Sequence, residues 1–322
     1  MKLKLKSLVI AAAAVMTCAT AIAQEYPNKP IKILVGYAPG GAPDVIARAI
    51  GQRMSVMFKQ QVIIENKPGA GGTLATAQAA KAPADGYTLL SADVGQIAIA
   101  PFLFKGLPYD SLRDFAPISM VAGVPLVLAT NAKTNIKTVA DLIREAKANP
   151  GKLSYASSGI GSIHHIAMEM FKREAGIDVT HIPYKGSAQS VPALLGGEVQ
   201  VAMTSFPTLG PFAPTGQVNL IAVTSPKRLP NAPDAPPLAE MYKGFDYAAE
   251  IGFMAPAGTP PDIIAKLDSA IKSALGDPEI QSKLNSLGAI PNYLNPAEYT
   301  ENVRQNLKKY KVAVEVSNAS QN

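Results

Sequence analysis

The stretch Leu34-Val-Gly-Tyr-Ala-Pro-Gly-Gly-Ala-Pro-Asp44 constrains this chain more than any other. A short apolar run from Ile31 to Val35 stops at Gly36. The loop Tyr37-Ala38-Pro39-Gly40-Gly41 follows, and then a helix start at Ala42-Pro43-Asp44. Pro43 suits a first helical position, because its fixed φ matches and its missing N–H has no intrahelical acceptor there. Asp44 places an acid at the positive end of the helix dipole. Gly40 and Gly41 remove side chains that would keep a ligand from the backbone. Strand, glycine loop and helix N-terminus together form a ready anion site. A second copy follows: Ser154-Tyr155-Ala156 as strand, Ser157-Ser158-Gly159-Ile160-Gly161-Ser162 as loop, and a helix from Ile163 to Ala175.

The rest of the chain repeats the same grammar. A helix is predicted from Pro43 to Phe58, where Val45, Ile46, Ala49, Ile50 and Met57 recur at helical spacing. Strands are predicted from Gln61 to Glu65, Tyr87 to Ser91, Phe115 to Ala122 and Leu126 to Thr130, with a break at Gly123-Val124-Pro125. Asn66 to Gly72 is a further glycine loop, and Thr73 to Lys81 the helix after it. Thr138 is the expected cap of a helix to Ala148, with Asp141 at its third helical position. Beyond the second unit come strands at Val179 to Ile182, Val199 to Met203, Leu220 to Thr224 and Gly252 to Ala255. Helices are expected from Ala188 to Leu195, Asp262 to Leu275, Pro278 to Leu287 and Pro296 to Val314. Asn295 and Glu298 form a capping box for the last. Such alternation implies βαβ units and parallel sheet. At 322 residues the chain accommodates two domains. Two crossovers, near Val121 to Val124 and Tyr247 to Ile251, give one lobe from 24–122 with 252–322 and another from 123–251. The cleft between them lies beyond the strand carboxyl ends, where both loops point.

Residues 1–23 read as a secretory leader. Lys2, Lys4 and Lys6 precede an apolar run from Leu8 to Ala14, and Ala21-Ile22-Ala23 sets cleavage before Gln24. A membrane anchor is the alternative, but the run is short and ends in small residues. Thr17 and Met16 do not suit a lipoprotein site at Cys18, the single cysteine, and cleavage removes it. The mature chain then has no disulfide and no thiolate. Losing the leader lysines takes the formal charge from +6 to +3, with no Lys/Arg block, which argues against nucleic-acid binding. Trp is absent and aromatics are 6%, which weakens any cation cage or base-stacking platform.

Other chemistries find little support. Asn66 to Gly72 lacks the ending of a phosphate loop and the dinucleotide fingerprint. No Gly-x-Ser-x-Gly marks Ser158 or Ser162 as a hydrolase nucleophile. His164 and His165 are adjacent rather than four apart, so they face different ways; with His181 as the third histidine, neither a metal nor a cofactor is expected. Asp44 and Arg48 read as an intrahelical ion pair. The candidate ligand contacts are Tyr37, Ala38, Gly40, Gly41 and Ala42 on one side. Ser157, Ser158, Gly161, Ser162, His165, Lys185, Thr204 and Ser205 lie on the other, and Asp93 past the third strand completes the set.

These pieces, in this order, resemble the Bug family, the periplasmic solute-binding proteins of tripartite tricarboxylate transporters. The matching segments are Pro27-x-Lys29-Pro30-Ile31, Pro39-Gly-Gly-x-x-Asp44-x-x-Ala47-Arg48 and Glu65-Asn-Lys-Pro-Gly-Ala-Gly-Gly72. Ser157-Ser-Gly-x-Gly-Ser162-x-x-His165, His181-x-Pro-Tyr-Lys-Gly186, Leu195-Gly-Gly197, Ala222-Val-Thr-Ser225 and Ala255-Pro-x-Gly-Thr-Pro260 complete them. The resemblance covers essentially the whole mature chain. It implies a type II periplasmic binding-protein fold, two α/β lobes joined by two crossover strands. It also implies a periplasmic monomer that closes on a small organic acid and passes it to membrane permease subunits. The ligand classes it suggests are di- and tricarboxylates, acidic amino acids and aromatic acids, with one carboxylate gripped by Tyr37 to Ala42 and Ser157 to Ser162. Family members often carry Asp-Asn where this chain has Thr204-Ser205. Without an acid there, the expectation leans from amino-bearing ligands toward a plain or aromatic carboxylate. A ligand-loaded signalling partner and a secreted serine hydrolase are the rival readings.

Overall fold

The computed structural model describes residues 25–286 and 288–317; the leader and its cleavage point lie outside them. The chain order is β1 (Ile31–Val35), α1 (Ala42–Phe58), β2 (Val62–Asn66), α2 (Thr73–Ala80), β3 (Thr88–Asp93), α3 (Ala100–Leu103) and β4 (Phe115–Asn131). Then come α4 (Val139–Ala148), β5 (Ser154–Ser157), α5 (Ile163–Ala175), β6 (Thr180–Pro183), α6 (Ser187–Gly196), β7 (Val201–Ser205), α7 (Phe206–Leu209) and β8 (Val218–Val223). β9 (Ala248–Pro256), α8 (Pro261–Leu275), α9 (Pro278–Ser286), β10 (Ile290–Leu294) and α10 (Pro296–Ser317) close the chain.

The strands follow the order β2-β1-β3-β9-β4-β7-β5-β6, with β10 and β8 both on β4. β1 pairs in parallel with β2 and β3, and β5 in parallel with β6 and β7. Each parallel set therefore contains one of the two loops Tyr37 to Gly41 and Ser157 to Ser162, between its strand and its helix. The antiparallel strands β4 and β9 lie between the two sets and pair with each other from Phe115↔Pro256 to Pro125↔Ala248.

β4 departs from the expected two strands. Gly123-Val124-Pro125 does not break it. The residues up to Pro125 pair with β9 and β10, and those from Leu126 on pair with β7 and β8. Pro125 sits where the strand changes partners, a ladder end at which its missing N–H is tolerated. β10 is a second departure, since Pro291 disguises it as a loop. It pairs only with β4, as a proline-bearing edge strand can.

The caps follow the sequence closely. Thr138 accepts the Asp141 N–H at 3.1 Å. Asn295 Oδ1 accepts from Glu298 N at 3.0 Å, and Glu298 returns the bond to Asn295 N at 3.0 Å, which closes the capping box. The core runs through both parallel sets. Ile31, Ile33, Ile46, Ile50 and Met54 are fully buried under α1, and Tyr155, Ile166, Met168 and Phe171 under α5. Burying side chains of this size stabilises by roughly 1.5–3 kcal/mol each, before chain entropy is charged against it.

Candidate functional site

Two connected spaces lie between the parallel sets. An outer cavity of about 300 Å³ is lined by Tyr37, Gly69 to Gly72, Phe104, Ser158 to Ile160, and Pro183 to Lys185. A deep pocket of about 20 Å³ shares Tyr37 and Ser158 with it. Its other walls are Gly41, Ala42, Pro43, Asp93, Ile163, His164, Ser187, Ser205 and Ala249. That volume fits one small polar group, since a single water needs about 10–15 Å³ by this measure.

Three helices begin at the deep pocket. α1 presents Gly41, Ala42 and Pro43, α5 presents Ile163 and His164, and α6 presents its first residue, Ser187. The first N–H groups of a helix have no intrahelical acceptor, and the dipole adds positive potential there. In α1 the ladder starts with Val45 N to Gly41 O at 3.0 Å, so Gly41, Ala42 and Asp44 precede it. No Lys or Arg lines the deep pocket; Lys185 is the basic side chain of the outer one. Backbone N–H groups, helix dipoles and hydroxyls are thus the means by which this site can hold an anion.

The two loops are braced differently. Asp44 accepts Gly40 N at 2.9 Å, Asn66 Nδ2 at 2.9 Å, and both Nε and Nη2 of Arg48 at 3.1 and 2.9 Å. Asn66 also donates to Tyr37 O at 3.0 Å. Burial pushes the Asp44 carboxyl up, but these donors outweigh it and hold it below the usual carboxylate range. The Gly40 N–H is consequently committed to Asp44, and Gly40 lines neither space.

In the second unit the bracing is neutral. Ser162 caps α5 by accepting His165 N at 3.2 Å, and its hydroxyl donates to Gly159 O at 2.7 Å. Ser157 Oγ meets His181 Nε2 at 2.7 Å and accepts Gly159 N at 3.1 Å. Gly161 N donates to His165 Nδ1 at 3.3 Å. The His165 and His181 rings stack 4.2 Å apart, and Tyr155 stacks on His181 at 4.7 Å. Burial lowers His165 to about 4 and His181 to about 3, so both rings are neutral.

Of the residues read from sequence, Tyr37, Gly41, Ala42, Asp93, Ser158, Lys185 and Ser205 line one of the two spaces. Ala38, Gly40, Ser157, Gly161, Ser162, His165 and Thr204 do not. Thr204 is fully buried and bonds Ser187 Oγ at 3.2 Å. His164 and Ser187 were missed. Adjacency to His165 signals only that the two rings diverge, and the inward one is His164. Its Nε2 meets Ser205 Oγ at 2.9 Å, and its buried Nδ1 has no partner. Ser187 follows the Gly186 cap as the first residue of α6, and its hydroxyl accepts from Thr204.

The spaces owe their shape to close approach of opposite loops. A Cβ on Gly71 would stand 2.8 Å from Ile160 O, and Gly71 has φ +62° besides. A Cβ on Gly95 would lie 3.0 Å from both Asp93 Oδ1 and the Tyr37 hydroxyl, and 3.4 Å from Gly161 O.

The two-set α/β fold, with helix N-termini converging on one pocket, is that of the solute-binding proteins it is similar to. The comparisons specify which kind. The model of the tripartite tricarboxylate transporter family receptor, TctC, matches residues 46–318, and the chain belongs to that family. It is 37% identical to protein BugT of Bordetella pertussis over 276 residues, 85% of either chain. It superposes on the periplasmic binding protein BugD with a TM-score of 0.88 at 33% identity, covering 92% of this chain and 100% of that one. An R. palustris protein with adipate gives a TM-score of 0.88 at 31% identity, covering 91% and 99%. MatC from Rhodopseudomonas palustris with bound malate gives 0.85 at 29%, covering 90% and 100%.

Proposed function

We propose that this protein captures a small organic carboxylate in the periplasm and delivers it to the membrane permease subunits of a tripartite transporter. The observation that carries the reading is the convergence of α1, α5 and α6 on one pocket without a basic side chain. Such a site suits a carboxylate bound by oriented N–H groups. One carboxylate enters the deep pocket, held by Gly41 and Ala42 from one side and Ser158 from the other. The remainder of the ligand occupies the outer cavity near Lys185. The lobes 24–122 with 252–322 and 123–251 close by bending in β4 and β9. Adipate and malate in the relatives' sites support the carboxylate class. No helix among the described residues is long and apolar enough to cross a membrane.

Asp93 reopens the lean toward a plain or aromatic acid. It rested on the absence of an acid beside Thr204-Ser205, and Asp93 shares the deep pocket with Ser205. Isothermal titration against di-, tri- and aromatic carboxylates, with mass spectrometry of any co-purified acid, tests the reading. Saturable binding of at least one carboxylate is expected. Binding of neutral or cationic solutes alone would sink it.

A further inference from the structure

Asp93 is an acid inside a pocket built for an anion. It is 5% exposed and stands at the carboxyl end of β3, in register with Ile251 of β9. The Tyr37 hydroxyl donates to its Oδ1 at 3.1 Å, and Gln96 N at 3.2 Å. Gln96 Oε1 accepts Asp93 N at 3.0 Å, which fixes the backbone beneath it.

Among the described residues, no Lys or Arg lines either space that Asp93 borders. His164, on the opposite wall, is not a substitute. Burial lowers it to about 3, so its ring is neutral. The wall behind Asp93 adds negative potential: Glu250 lies there, bonded to Asn306 Nδ2 at 2.6 Å, beside Tyr299. Tyr109 and Tyr310 also feel the Asp93 charge. Burial pushes the Asp93 carboxyl up to about 6, against the opposing bonds from Tyr37, Gln96 and Gly95. A buried carboxylate without a counter-charge is expensive unless a ligand supplies what it lacks.

A ligand head group that enters this space meets two demands. The helix N-termini ask for a carboxylate, and Asp93 asks for a hydrogen-bond donor within the same few ångströms. A carboxylate whose adjacent carbon bears a hydroxyl or an ammonium satisfies both. A plain carboxylate satisfies the helix N-termini but brings no donor to Asp93, and leaves that buried acceptor unpaired. On the opposite wall, His164 Nε2 meets Ser205 Oγ at 2.9 Å, so the neutral ring is fixed beside the head group.

Resting on the carboxylate reading above, we infer that Asp93 is the specificity-determining residue of the site, selecting α-hydroxy or α-amino carboxylates over acids without a donor on that carbon. The test uses three four-carbon acids that differ only at that carbon, succinate, malate and aspartate, titrated into the full mature protein and its Asp93→Asn variant. The variant is isosteric and can keep the Tyr37 and Gln96 bonds; a thermal melt confirms its fold. Malate or aspartate is expected to bind the wild type at least about tenfold more tightly than succinate, the scale of one buried hydrogen bond. In Asp93→Asn that preference falls to within about threefold. Whichever of the two binds more tightly tells whether the donor is a hydroxyl or an ammonium. Equal binding of all three by the wild type, or a preference that survives in Asp93→Asn, overturns the inference while the carboxylate reading stands. Failure of every carboxylate to bind overturns both.

Discussion

In the first glycine loop the backbone is tied down by charge. In the second it is tied down by uncharged groups. Asp44, Arg48 and Asn66 form one bonded cluster that fixes Tyr37 to Gly41 to the start of α1. Ser157, Ser162 and the stacked pair His165–His181 do the equivalent for the second loop. Both loops lead into a long helix whose N-terminus faces the same pocket, so the ligand side of the two units is alike. The back sides differ because their burial differs. Arg48 is half exposed, so its charge stays solvated while it neutralises Asp44. Behind the second loop His165 is buried and His181 half-buried, and charge enters only one layer back, where the Tyr155 hydroxyl meets Glu169 of the Lys172–Glu169 pair.

The sharpest way to break the likeness of the ligand sides is Gly41→Leu. Gly41 has φ −75°, and a Cβ there meets nothing nearer than 3.8 Å, so the backbone accepts the change. The side chain would fill the deep pocket. Carboxylate affinity should fall roughly a hundredfold or more, while the melting temperature stays within roughly 4 °C. A variant that binds like the wild type would remove Gly41 from the site.

The charged brace is tested by Asp44→Asn, which breaks the Arg48 pair. Unfolding in urea should reveal a loss of about 2 kcal/mol, the scale of charge-assisted bonds in a buried cluster. A loss below about 0.5 kcal/mol would mean that the loop holds itself. The neutral brace has its own smaller test in Ser162→Ala, which removes the α5 cap. About 1 kcal/mol is expected by the same urea assay.

pH separates the two units most directly. His164, His165 and His181 are held at about 3, 4 and 3, below the ordinary histidine value, so the unfolded chain takes up protons first on acidification. Their contribution is intact above about pH 6.5 and is lost as the pH falls toward 4. Asp93 acts with the opposite sign: raised to about 6, it favours the folded state more as the pH falls. Three imidazoles outweigh one carboxyl, so the melting temperature should fall between pH 7 and 4. A flat or rising profile would show that the second unit is not braced by neutral rings.

What was legible in the sequence is what is local. The α1 start, the Thr138 cap, the Asn295–Glu298 box and the Asp44–Arg48 pair each depend on residues within four positions, and all are where the spacing puts them. The pocket is not local. Asp93, His164 and Ser205 meet only because β3 and β7 end, and α5 begins, at the same place. Nothing at any one of them signals the other two. Thr204-Ser205 shows the hazard: that segment has no acid, yet Asp93 lines the same pocket as Ser205. β4 was misread for a related reason, since a proline that looks like a stop in a lone strand is harmless where the neighbours change.

That continuity of β4 has a consequence for how the molecule can be taken apart. Cutting at the 122–123 boundary would sever one ribbon bonded on both sides across the two halves, as the Gly123↔Ile290 and Ala122↔Ile251 pairs show. A fragment of 123–251 would inherit β7 and β8 on a truncated strand and leave β9 cut before Gly252. Expressed separately, neither half keeps a finished sheet edge, and unpaired edges invite aggregation. The protein should therefore melt in a single cooperative transition, and complementation by two co-expressed pieces should work only with a break outside β4 and β9.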